Sequence, residues 1–190
     1  MKKAIFLVLV FMSSVVAAES GRPGEWATPE KLTGIGNLYK VTDNLYRSER
    51  PTIKGIRNLG TKRIKTIINL ESVDKIWEKK EKKAAKEAGL NYIRIKENPL
   101  LHVEDEDVIK FLQIIQKNEN GPFLVHCLHG ADRTGAMIAM FRIVEQRWSK
   151  ENAIKEMKEG GYGFHTGFAS SIIQYIVNVD VEKIRKEVGK

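Results

Sequence analysis

The chain has 190 residues, 42% hydrophobic and 29% charged, with a formal charge of +8. That length and balance suit one globular domain with a core of its own, and exclude a chain too short or too polar to fold. Its single cysteine excludes a disulfide framework, and its basic surplus favours anionic partners.

The first residues stand apart from the rest. Lys2 and Lys3 precede an apolar run from Ala4 to Met12, and Ser13 to Ala18 supply small residues for cleavage. Residues 1–18 therefore read as a secretory signal peptide, with Val16-x-Ala18 as the cleavage motif. The run is short for a membrane span, which needs about 20 residues. Export to the periplasm or the medium is expected, with no stable membrane insertion after cleavage. Cleavage removes two lysines and no acid, so the mature chain stays basic. Export also changes the meaning of the lone cysteine. It cannot staple the fold, so a retained thiol in an oxidising compartment is best explained by chemistry.

Residues 19–36, rich in Gly, Pro, Ser and Thr, read as a tail, leaving 37–190 as one domain. Leu38 to Tyr46 gives short strands around the turn Thr42-Asp43-Asn44. Pro51-Thr52 starts a helix carrying Ile53, Ile56 and Leu59, which Gly60 ends. Thr66 to Leu70 is a nearly continuous apolar strand, as expected where both faces are covered. Ile76 to Ala88 reads as a solvated helix rich in Lys and Glu, and Tyr92 to Ile95 as the next strand. Val108 to Ile115 is an amphipathic helix with acidic residues at its start.

The organising stretch is 122–135, Pro-Phe-Leu-Val-His-Cys-Leu-His-Gly-Ala-Asp-Arg-Thr-Gly. Phe123 to Val125 reads as a buried strand, and Thr134 to Val144 as a helix with Met137, Ile138, Met140, Phe141 and Val144 at helical steps. The loop between them would aim backbone N–H groups at one point, at the positive end of a helix, where a tetrahedral anion binds. Cys127 would lie beneath a phosphorus atom as nucleophile, its thiolate stabilised by those N–H groups, the helix dipole and Arg133. Arg133 would grip two phosphate oxygens in the transition state. Gly130 permits backbone angles that other residues resist. Thr134 can give its hydroxyl to the sulfur as it leaves. Leu128, His129, Ala131 and Asp132 complete the phosphate-binding loop. Ser149 caps a further helix through Met157, the glycines around Tyr162 break it, and a last helix runs from Thr166 to Val177 with Phe168, Ile172, Ile173 and Ile176 inward. Residues 180–190 read as a peripheral turn. The alternation of strands and helices indicates an α/β fold with a mainly parallel central sheet, its site at the carboxyl ends of the strands.

His-Cys-x-x-Gly-x-x-Arg-Thr resembles the signature loop of the cysteine-dependent phosphatases: tyrosine, dual-specificity and tyrosine-phosphatase-like inositol phosphatases. Asn44 to Pro51, followed by Gly60 and Thr66 to Leu70, looks like the opening of their bacterial branch. The resemblance covers about residues 37–148 and implies a protein tyrosine phosphatase-like fold and a phospho-cysteine intermediate. It also implies a proton donor ~20–35 residues before the cysteine. Trp-Pro-Asp is absent from that window, which holds Glu97, Glu104, Asp105, Glu106 and Asp107. Asp105, near the loop side of the following helix, is the first choice, with Glu97 behind it; Asp132, inside the loop, is the equal competitor. His126 is expected to brace the loop through backbone hydrogen bonds, and Arg47 to support it. No metal or cofactor is expected, because His102 and His165 lack ligand spacing with other donors. Nor is nucleic acid, because no fold signature for it is present.

Three substrate readings stand. Inositol polyphosphates rank first, because export, basic charge and a metal-free loop suit a small polyanion. A protein tyrosine or dual-specificity phosphatase comes next, and a non-catalytic phosphate-binding module last. Leu128 and Ala131 leave the loop without lysine, so charge for a polyanion would come from Arg47, Arg50, Lys96 or Arg142.

Overall fold

The computed structural model describes residues 22–72, 74–95 and 102–190. The signal segment, Lys96, Glu97 and Asn98 to Leu100 lie outside the described residues. A six-stranded sheet runs in the order β1 (Thr28–Pro29), β2 (Tyr39–Thr42), β3 (Leu45–Ser48), β6 (Phe123–His126), β4 (Thr66–Asn69), β5 (Asn91–Arg94). From β3 to β5 all neighbours are parallel, and β1 and β2 extend that edge antiparallel.

The strands alternate their burial between two layers. Leu45, Ile68, Phe123 and Val125 join the larger core, with α3 (Asp105–Ile115), α4 (Asp132–Val144), α5 (Lys150–Glu159), α6 (Ser170–Asn178) and α7 (Val181–Glu187). Tyr46, Ile67 and Leu124 face the other way, onto α1 (Ile53–Asn58) and α2 (Lys75–Glu87). Because both faces are covered, β6 and β4 are buried throughout. Helix α4 is buried on nearly every side, its Met137, Ile138, Met140 and Ile143 each contributing about 1.5–3 kcal/mol of burial.

Polar side chains set where the helices begin. Thr52 Oγ1 accepts from Gly55 N at 3.0 Å, Asp74 Oδ1 from Trp77 N at 2.9 Å and Ser149 Oγ from Asn152 N at 3.1 Å.

Three expectations are corrected. Residues 22–36 are not a tail. They supply β1, and the buried Ala27 donates its N–H to Glu156 Oε1 at 2.7 Å. Arg22 meanwhile donates to the carbonyls of Ala27 and Gly160. Phe168 is not inward but 77% exposed, because α6 starts two residues later, at Ser170. Residues 180–190 are not a peripheral turn but hold α7, whose Ile184 is fully buried; Asp180 caps it from Oδ1, 3.0 Å from Lys183 N.

The parallel register sets Ser48, His126 and Asn69 side by side at the carboxyl ends of three adjacent strands. The segments leaving these three strand ends build the site.

Candidate active site

Cys127 directly follows β6 and is 3% exposed. The next three carbonyls are each tied down by a donor from elsewhere. Arg50 N donates to Leu128 O at 3.1 Å, Asn37 Nδ2 to His129 O at 2.8 Å and Arg47 Nη2 to Gly130 O at 2.7 Å. Across a trans peptide the N–H points opposite to the carbonyl. The N–H groups of His129, Gly130 and Ala131 are therefore turned away from those anchors, beside the first turn of α4, where partial positive charge gathers. Amides so arranged can cradle an anion without a lysine in the loop.

Gly130 is required twice over. Its φ is +69°, and a Cβ there would lie 2.4 Å from the carbonyl carbon and oxygen of Ser48. The chain after β3 thus packs directly against the loop.

Arg47 is a buried cation. It is 1% exposed, its guanidinium 3.6 Å from the ring centroid of Tyr162. Burial pushes its pKa below the usual arginine value, while Tyr162, Glu156 and Cys127 act in the opposite direction. Among the described residues no carboxylate lies within ion-pair distance of it, so its field is left to the loop above.

Under the cysteine, His126 is fully buried, its Nδ1 3.2 Å from Cys127 O and its Nε2 2.8 Å from Glu81 Oε1. That second contact is close but not aligned as a hydrogen bond. Glu81 also accepts from Asn69 Nδ2 at 2.5 Å and Tyr92 Oη at 3.1 Å. Burial alone would raise its pKa, but His126, Asn69 and Tyr92 together hold it below the usual value. Sequence reasoning read α2 as solvated and missed Glu81, which is fully buried. The signal was available: Ala84 and Ala85 follow it by three and four residues, placing all three on one face.

The other expected residues separate into groups. Leu128 and His129 are exposed on the loop; Ala131, Asp132 and Thr134 are buried, and Arg133 lies in the first turn of α4. Thr134 Oγ1 is buried without a hydrogen-bond partner. Asp105 faces α6 and α7, where Tyr175 Oη donates to it at 2.9 Å and Lys183 Nζ at 2.7 Å. The Lys183 hydrogen bond, with that of Tyr175 behind it, holds its carboxyl below the usual range. Asp132 accepts from His165 through both oxygens. Glu97 lies outside the described residues.

The expected sources of charge for a polyanion are also accounted for. Arg50 is engaged by Glu71 and Asp74. Arg142 is buried in a two-pronged pair with Glu156 at 2.8 and 2.9 Å, so it is corrected from substrate contact to core. Lys96 lies outside the described residues. Among the described residues, no group of three His, Cys, Asp or Glu could hold a metal ion.

Residues 30–171 match the family described as "DSP-PTPase phosphatase fused to NAD+ Kinase". The dual specificity protein phosphatase TpbA of Pseudomonas aeruginosa strain UCBPP-PA14 is 32% identical over 173 residues, covering 89% of this chain and 74% of that protein. Inositol diphosphatase DSP4 of Arabidopsis thaliana is 30% identical over 125 residues, covering 63% of this chain and 61% of that protein. The crystal structure of a cysteine-to-serine variant of P. aeruginosa TpbA in complex with phosphotyrosine superposes with a TM-score of 0.76 at 28% identity, covering 90% of this chain and 99% of that one. The catalytic core of the S. cerevisiae PP-IP phosphatase Siw14 shares the fold, with a TM-score of 0.70 at 23% identity over 84% of this chain and 94% of that one.

Proposed function

Because this chain belongs to the dual-specificity family of cysteine-dependent phosphatases, we propose that it removes phosphate from phosphotyrosine in proteins, with Cys127 as nucleophile. The Cys127 thiolate attacks phosphorus in line with the ester oxygen. The inward amides of the loop and the Arg133 guanidinium take up the charge spreading over the other phosphate oxygens. The ester bond breaks with its electron pair on the departing oxygen, leaving phospho-cysteine. Water then attacks phosphorus and the thiolate leaves. The buried Thr134 hydroxyl, with no hydrogen-bond partner of its own, is placed in sequence to serve that sulfur.

One observation carries the choice of substrate: the arginines expected to meet a polyanion are already committed. Arg50 is spent on Glu71 and Asp74, Arg142 on Glu156, and Arg47 beneath Gly130. What remains among the described residues suits one phosphate dianion on a carrier that is otherwise weakly charged, with Leu128 and His129 exposed beside it. TpbA crystallised with phosphotyrosine supports the same reading. The likeness to an inositol diphosphatase supports a second reading, an inositol phosphate substrate.

The test compares phosphate release from a phosphotyrosine peptide and from inositol hexakisphosphate by the protein without residues 1–18, with Cys127→Ser as control. The peptide is expected to be turned over at least tenfold more efficiently. A preference for the inositide would reverse the assignment, and activity surviving in Cys127→Ser would remove the mechanism.

We also propose export, on the strength of the basic start, the short apolar run and the small residues of 1–18. Fractionation of cells expressing the full chain should place a shortened product outside the cytoplasm. Full-length protein retained in the cytoplasm would refute this.

A further inference from the structure

We propose that His165 is the proton donor to the leaving oxygen, with Asp132 as the positioning residue that holds its ring. The two expected acids among the described residues, Asp105 and Asp132, are occupied. Asp105 is held by Lys183 and Tyr175, and Asp132 spends Oδ1 on the His165 backbone N–H at 2.9 Å and Oδ2 on His165 Nδ1 at 2.8 Å. An ionised carboxylate only accepts hydrogen bonds, so Nδ1 must carry the hydrogen. Nε2 is then the nitrogen left to give up a proton and take one back.

The position fits the task. Asp132 is the first residue of α4, next to Arg133, and its side chain is only 11% exposed. The His165 side chain is 51% exposed, so one edge of the ring is fixed inside the protein while the other meets solvent. Its ring centroid lies 5.7 Å from that of His129, two residues after the nucleophile. The titratable groups against this ring among the described residues are Asp132 on α4 and His129 on the loop.

The proton balance closes. As the S–P bond forms and the ester bond breaks, the Nε2 proton moves to the departing oxygen and the alcohol or phenol leaves neutral. In the second half, neutral Nε2 takes a proton from the attacking water as the S–P bond breaks. Phosphate and the Cys127 thiolate are released, and His165 is protonated again.

The experiment reads dependence on the leaving group. It rests on the phosphatase reading above, but not on phosphotyrosine as the natural substrate. Phenol, like tyrosine, is a weak acid with a pKa of about 10 and leaves poorly without a proton, whereas p-nitrophenol is far more acidic and needs little help. His165→Asn keeps a donor for Asp132 but cannot transfer a proton; His165→Gln is the second variant should the first not fold. The kcat for phenyl phosphate should fall about 100-fold, at least tenfold further than the kcat for p-nitrophenyl phosphate. In the parent enzyme the phenyl phosphate rate should show an alkaline decline, because the donor must carry its proton, and that limb should vanish in the variant. Equal losses on both esters would overturn the proposal, as would no loss. So would the same signature appearing in Asp132→Asn but not in the His165 variants, which would make Asp132 the donor. A parent enzyme that cleaves aryl phosphates but not the phosphotyrosine peptide would sink the substrate assignment and leave this proposal standing.

Discussion

Arg47 donates from Nη2 to the carbonyl of Gly130 at 2.7 Å while its guanidinium faces the Tyr162 ring, so a buried cation both shapes the phosphate loop and charges it from below. Lysine cannot reproduce a planar fork that stacks and donates at once. Arg47→Lys and Arg47→Met should therefore both lower kcat/KM by at least tenfold. Arg47→Met should cost only about 1–2 kcal/mol in urea unfolding, because burying the cation is itself expensive. Near-parent activity in Arg47→Lys would show that charge alone suffices and that the fork is idle.

Gly130 leaves no room for even a methyl group. In Gly130→Ala the positive φ costs about 1 kcal/mol, and the contact with Ser48 must open besides. The variant should melt at lower temperature and lose most of the thermal stabilisation that inorganic phosphate gives the parent. An unchanged phosphate-dependent shift in melting temperature would mean that the amide cradle does not depend on that close approach.

Glu81 makes stability depend on pH. Its carboxyl is held below the ordinary glutamate value of about 4.3. A depressed folded-state pKa contributes stability that is present above the unfolded value and is lost as pH falls through the folded one. Glu81→Gln should thus cost about 1–3 kcal/mol at neutral pH, and the gap from the parent should shrink as the medium becomes acidic. Denaturant titrations across pH 3 to 7 read this directly; a gap constant over that range would mean that Glu81 does not titrate between the two states.

Asp105 is a brace joining α3 to α6 and α7. Asp105→Asn should lower the melting temperature by a few degrees and change kcat for phenyl phosphate by less than about threefold, since a missing general acid costs about 100-fold or more. A leaving-group-dependent collapse of activity would return Asp105 to the chemistry.

The strand, loop and helix from Phe123 to Val144 were legible because their pattern is local: an apolar run, fixed spacing around Cys127, then helical periodicity. Thr52 and Ser149 announced their helices for the same reason, since a cap acts on its own next turn. The hidden features depend on partners far along the chain. Glu81 lies among lysines in sequence, and only the fold brings His126 to it. His165 sits 33 residues after Asp132, outside any motif, and only folding sets its ring against that carboxylate. Residues 22–36 show no periodicity because hydrogen bonds to α5 and the Tyr162 segment hold them, rather than an apolar stripe.

The N–H of Ala27 ends on a carboxylate 129 residues later in the chain. Closing so long a loop is entropically slow, and it cannot begin before α5 exists. The Ala27 contact can therefore close only late, although β1 pairs with its near neighbour β2. Until that contact forms, Glu156 Oε1 has, among the described residues, only Arg142 and Tyr162 as donors.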